Sequence, residues 1–253
     1  LGGKIMIRFT LVVLFLFLFL ICSVPVVIAE WMIGKLGYQE MKDKSSLAIV
    51  NWAFRVVIFL SGAKVHVIGE ENVPKDQAVV YIPNHRSYFD IILTYVRVPR
   101  PTGYIAKKEM LRYPVLKDWM KNLHCKFLDR NDMKAGMKMI LDAIADLKNG
   151  ISICIFPEGT RNRKSKDMMP FKEGSLKIAE KSGCPIIPVA ITNSSAIFED
   201  HIPKIKKAHV IIEYGEPIYT KELSGNDRKF IGAYTQRQIN AMLQKHDLSV
   251  YSR

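Results

Sequence analysis

The chain is predicted to adopt an α/β fold: a mixed, largely parallel sheet flanked by helices on both faces, with an N-terminal membrane-associated two-helix segment. Three observations predict it. Residues 9–29 carry no charge and are dominated by Leu, Val, Phe and Ile. After Ser61-Gly62 the pattern changes to short β-branched runs alternating with helical ones, which implies strands joined by crossover helices. A length of 253 residues suffices for one substantial domain and a small appendage.

Phe9 to Ala29, read as one helix, measures about 31 Å at 1.5 Å per residue, enough to span a hydrocarbon core. A second apolar stretch, Leu47 to Leu60, contains Asn51 and Arg55. It reads as an amphipathic helix, too short and too polar for an easy crossing; a core helix that never meets lipid is the alternative. Trp31 and Trp52 suit the headgroup zone. The two helices can form a hairpin dipped into one leaflet, which we favour over a full span. The division follows: membrane-anchoring helices over 1–62 and an α/β domain over 63–253.

Within that domain the strands are predicted at Lys64–Ile68, Ala78–Ile82, Thr102–Ile105, Cys125–Leu128, Ile151–Phe156, Ile186–Ile191 and Ala208–Tyr214. The helices are predicted at Phe89–Arg97, Val115–Asn122, Asp132–Lys148, Lys172–Lys181 and Lys221–Lys245. Ligands of such sheets bind beyond the carboxyl ends of the strands.

The net charge is +13, of which residues 1–30 contribute only +1 through Lys4, Arg8 and Glu30. A basic folded part attracts polyanions. The apolar N-terminus selects an anionic membrane surface, and no zinc-finger, RNA-recognition or helix-turn-helix signature supports nucleic acid. Cys22, Cys125, Cys154 and Cys184 form no C-x-x-C pair. The last three lie in apolar runs and read as buried free thiols, which suits a reducing compartment and a catalytic domain on the cytoplasmic face. No metal site is expected, because His85 and Asp90 lack a third ligand.

Two strings carry the chemistry: Asn84-His85-Arg86-Ser87-Tyr88-Phe89-Asp90 and Phe156-Pro157-Glu158-Gly159-Thr160-Arg161. A His-x4-Asp pair alone is expected about 0.3 times by chance in such a chain, whereas the six-letter second string arises at about 10⁻⁵ or less. The first offers an imidazole with a carboxylate to orient it, the second a guanidinium on a tight turn. That pairing suggests a base beside an anion clamp.

Together the strings resemble the glycerolipid acyltransferases, most closely the bacterial 1-acylglycerol-3-phosphate acyltransferases. Lys126-Phe127-Leu128-Asp129-Arg130 and Cys184-Pro185-Ile186-Ile187-Pro188-Val189-Ala190 are two lesser blocks similar to that family. The resemblance covers about residues 78 to 192 and implies transfer of a fatty acyl chain from an acyl thioester to the hydroxyl of lysophosphatidic acid. The donor is acyl carrier protein or coenzyme A, a co-substrate rather than a cofactor. On this reading His85 is the general base and Asp90 holds its other ring nitrogen, with the substrate hydroxyl in place of a hydrolase's serine. Arg161, Arg130 and Lys107 form the phosphate site. Glu158, Gly159 and Thr160 support the turn. Glycerol-3-phosphate or another lysophospholipid remains open as acceptor. The chain lacks a G-x-S-x-G elbow, which argues against a serine hydrolase. A non-catalytic lipid-binding module is the other class left.

Overall fold

The computed structural model describes residues 2–162 and 167–246. The chain begins with three helices: α1 (Gly2–Cys22), α2 (Val24–Lys35) and α3 (Gln39–Ser61). The apolar run predicted as one helix is therefore two, bent by 47° at Ser23. Pro25 explains the break: it has no N–H for the carbonyl of Ile21, and its ring crowds that carbonyl. The junction is tied down, since the buried indole of Trp119 donates to Ser23 Oγ at 2.9 Å.

Helix α3 starts eight residues before the predicted apolar stretch and ends at Gly62, whose φ of +73° closes the helix through bonds from its N–H to Ile58 and Phe59. Its length and composition suffice to cross a bilayer, and α1 with α2 qualifies only as one broken span. One face of α3 buries Ser46, Val50, Ala53, Val57 and Ser61, at spacings of three and four, while Trp52 and Phe59 point outward. The helix thus serves the core on one side and presents apolar surface on the other.

The remainder runs β1 (Lys64–Ile68), β2 (Val80–Pro83), α4 (Phe89–Tyr95), β3 (Thr102–Lys107), α5 (Leu116–Asn122), β4 (Lys126–Leu128), α6 (Met133–Lys148), β5 (Ser152–Cys154), α7 (Glu173–Ser182), β6 (Ile186–Thr192), β7 (His209–Tyr214), α8 (Gly225–Lys229) and α9 (Ile231–Lys245). The seven strands form one sheet in the order β1-β7-β6-β2-β5-β3-β4. Strands β2 to β6 are mutually parallel; β7 runs antiparallel to β6, and β1 parallels β7.

The central strands alternate between two cores, as the period-2 geometry of a strand requires. Tyr81, Ile187, Val189 and Ile191 face the core shared with Val50, Val57, Leu93 and Trp119. Val80, Ile82, Ile186 and Ala190 face the core shared with Leu147 of α6, Leu176 of α7 and Ile239 of α9. Burial on both faces is why these strands read as continuous apolar runs.

The predicted helix over 221–245 is broken at Phe230 into α8 and α9. The cause is tertiary. The carboxylate of Glu173 on α7 accepts from Gly232 N at 2.8 Å and Ala233 N at 3.1 Å. It thereby satisfies the free N–H groups of a new helix start. The four cysteines are free thiols, but only Cys154 is fully buried; Cys125 and Cys184 are partly buried and Cys22 is exposed.

Candidate active site

The parallel strands deliver their carboxyl ends to one edge of the sheet, and both strings lie there. After β2 the loop is pinned by Asn84, which donates to Ile191 O at 3.0 Å and accepts from Ile191 N at 2.7 Å. The chain then turns through His85 to Tyr88 into α4. Asp90, in the first turn of α4, is fully buried. Its Oδ2 accepts from Arg86 N at 2.7 Å and Ser87 N at 2.7 Å, and lies 2.9 Å from His85 Nδ1. An oxygen already accepting two backbone N–H groups is a carboxylate acceptor, so we assign the proton to Nδ1 and the lone pair to Nε2. The His85 side chain is 13% exposed. Its ring stacks on Phe156, with centroids 4.0 Å apart.

The second string wraps the first. Glu158 Oε1 accepts from His85 N at 2.7 Å and Oε2 from Met169 N at 3.0 Å, while Asn162 N donates to His85 O at 2.8 Å. Burial pushes the Glu158 carboxyl above its ordinary pKa, against the pull of those two backbone donors. Replacing Glu158 by Ala strands both N–H groups. We expect a loss of about 2–6 kcal/mol, measurable by denaturant unfolding, at roughly 1–3 kcal/mol for each unsatisfied donor.

The turn itself needs Gly159. Its φ is +74°, and a Cβ there would stand 3.1 Å from Lys172 Nζ and 3.7 Å from Arg130 Nη2. Arg130, just beyond β4, donates to the carbonyl of Gly159. Arg161 lies with its guanidinium carbon 3.4 Å from the centre of the Tyr88 ring and Nη1 3.3 Å from Glu199 Oε1. The structure therefore brings His85, Asp90, Glu158, Gly159, Arg130 and Arg161 to one edge. Lys107 is exposed at the end of β3, in register with Leu128, two residues before Arg130. Thr160 is exposed at the tip of the turn. Residues 163–166, which follow the second string, lie outside the described residues.

Four neighbours escaped the sequence reading. Tyr88 and Phe156 sit inside the two strings, so their positions were visible though their roles were not. Lys172, eleven residues after Arg161, lies against Gly159. Glu199 lies 38 residues beyond Arg161 in sequence and carries no local signal.

The fold thus sets an imidazole with its carboxylate partner beside arginine side chains at one edge of an α/β sheet. The chain belongs to the Acyltransferase family, whose model matches residues 64–192 and so contains both strings. A curated 1-acyl-sn-glycerol-3-phosphate acyltransferase of Borreliella burgdorferi is 30% identical over 199 residues, covering 79% of this chain and 79% of that one. Another of the same name from Haemophilus influenzae is 33% identical, covering 82% of this chain and 86% of its own. The crystal structure of the 1-acyl-sn-glycerophosphate (LPA) acyltransferase PlsC from Thermotoga maritima superposes with a TM-score of 0.74 at 25% identity. The match covers 94% of this chain and 97% of that one.

Proposed function

We propose that the protein transfers a fatty acyl chain from acyl carrier protein or coenzyme A to the sn-2 hydroxyl of lysophosphatidic acid, giving phosphatidic acid. The observation that carries this reading is the 2.9 Å contact between His85 Nδ1 and buried Asp90, which leaves Nε2 as the proton-accepting nitrogen. Nε2 takes the acceptor's hydroxyl proton as that oxygen attacks the thioester carbonyl. The tetrahedral adduct collapses with loss of the thiolate, which receives the proton from the imidazolium. Asp90 stabilises that imidazolium, so no acyl-enzyme is needed. Arg161, Arg130 and Lys107 hold the acceptor's phosphate, with Glu158, Gly159 and Thr160 shaping the turn beneath it. Neither a metal nor a cofactor takes part; the thioester is the only co-substrate.

Residues 1–62 anchor the enzyme. Leu11, Leu14, Phe17, Leu18 and Ile21 of α1, Ile28 and Trp31 of α2, and Trp52 and Phe59 of α3 are exposed. Such a continuous supply of apolar side chains suits one leaflet, with the catalytic domain held at the cytoplasmic face of an anionic membrane.

The test is mass-spectrometric product analysis with a panel of lysolipids and both thioesters. Phosphatidic acid as the dominant product supports the proposal. Preferred acylation of glycerol-3-phosphate or a lysophospholipid with a larger headgroup redirects it, and vesicle binding without any product refutes it. In the same assay Arg161→Ala is expected to raise the KM for lysophosphatidic acid about 10–100-fold, the worth of charged hydrogen bonds. An unchanged KM and kcat would remove Arg161 from the phosphate site.

A further inference from the structure

We infer that Glu199 is a positioning residue for the acceptor's anion: it holds Arg161 by one edge so that the rest of the guanidinium is presented, already oriented, to the phosphate. The inference rests on the proposed role of Arg161. Glu199 lies in a short 3₁₀ turn, Glu199–His201, after β6, and its side chain is only 5% exposed. The contact to Arg161 is a single one at 3.3 Å. It occupies one of five guanidinium donors and is longer than a tight charge-assisted bond. Tyr88 covers one face of the same guanidinium at 3.4 Å. Among the described residues Arg161 is thus restrained from an edge and a face, with donors left for an incoming anion.

The same carboxylate is bound into the loop that carries the proton chemistry. Glu199 Oε2 accepts from Ser87 Oγ at 2.6 Å and Oε1 from Tyr88 N at 2.7 Å. Ser87 in turn donates its N–H to Asp90 Oδ2 at 2.7 Å. One buried group therefore sets the spacing between the anion clamp and the His85–Asp90 pair. A buried carboxylate beside an anion site is unfavourable unless a cation separates them. Arg161 supplies that cation, and its order before binding lowers the entropy lost when the phosphate arrives.

Glu199→Gln keeps the volume and the acceptor oxygen but removes the charge that restrains Arg161. The expected result is an increase of about tenfold in the KM for lysophosphatidic acid, with kcat and the thioester KM within about twofold. In an Arg161→Ala background the same substitution is expected to add less than about twofold, because the residues act as a unit. Three results overturn the inference: an unchanged or lowered KM in Glu199→Gln while Arg161→Ala raises it, independent multiplicative losses in the double variant, or a loss confined to kcat. If Arg161→Ala itself leaves the KM unchanged, the phosphate reading has failed and the inference falls with it. Should Glu199→Gln not fold, Tyr88→Leu removes the other restraint with Glu199 in place; a comparable rise in KM supports the clamp, and an unchanged KM overturns it.

Discussion

Replacing His85 by Ala is expected to lower kcat by on the order of 10²–10⁴, the usual worth of a positioned general base. The imidazole acts as the hydroxyl oxygen attacks, so both substrate KM values should stay near those of the unaltered enzyme. The fold should survive. Asp90 Oδ2 keeps its two backbone donors, Arg86 N and Ser87 N. The His85 N–H bond to Glu158 does not involve the side chain. Thiol release with lysophosphatidic acid, followed at saturation in both substrates, measures the effect. A large drop in melting temperature alongside the kinetic loss would point to a structural part for the ring, stacked 4.0 Å from Phe156, instead of a chemical one.

Asp90→Asn is expected to cost up to about 10⁴ in kcat, the loss seen when the corresponding carboxylate of a serine-hydrolase triad becomes an amide. The substitution isolates charge from shape. All three donors converge on Oδ2, and an amide oxygen at that place still accepts from the two backbone groups. What disappears is the negative charge facing the imidazolium. Asp90→Ala is a different experiment: it buries Arg86 N–H and Ser87 N–H without an acceptor, at about 1–3 kcal/mol each. Kinetics on the Asn variant, with unfolding measured on both, separate the two contributions.

Local signals account for much of the architecture. Strand β1 lies where the β-branched run Lys64–Ile68 predicts it. Asp132, where the predicted helix Asp132–Lys148 begins, caps α6 by accepting from Lys134 N and Ala135 N. The bend at Ser23 has a local cause in Pro25, but the unbroken apolar run around it reads as a single helix. The break at Phe230 was not readable, because its cause is a carboxylate from another helix, Glu173. The site divides in the same way. His85 and Asp90 are five residues apart, so their contact follows from one turn of chain. Arg130 reaches Gly159 across 29 residues and Glu199 reaches Ser87 across 112. Such contacts exist only once the parallel strands have placed their carboxyl ends side by side.

The account depends on His85 and Asp90 working as one unit upon the acceptor's hydroxyl. The most direct test is kcat for the double variant His85→Ala/Asp90→Asn beside the two single variants, with lysophosphatidic acid and an acyl thioester at saturation. We predict that, once His85 is gone, the second substitution costs less than about twofold. A double variant slower by the product of the two single losses, or a His85→Ala enzyme as fast as the unaltered one, would contradict it.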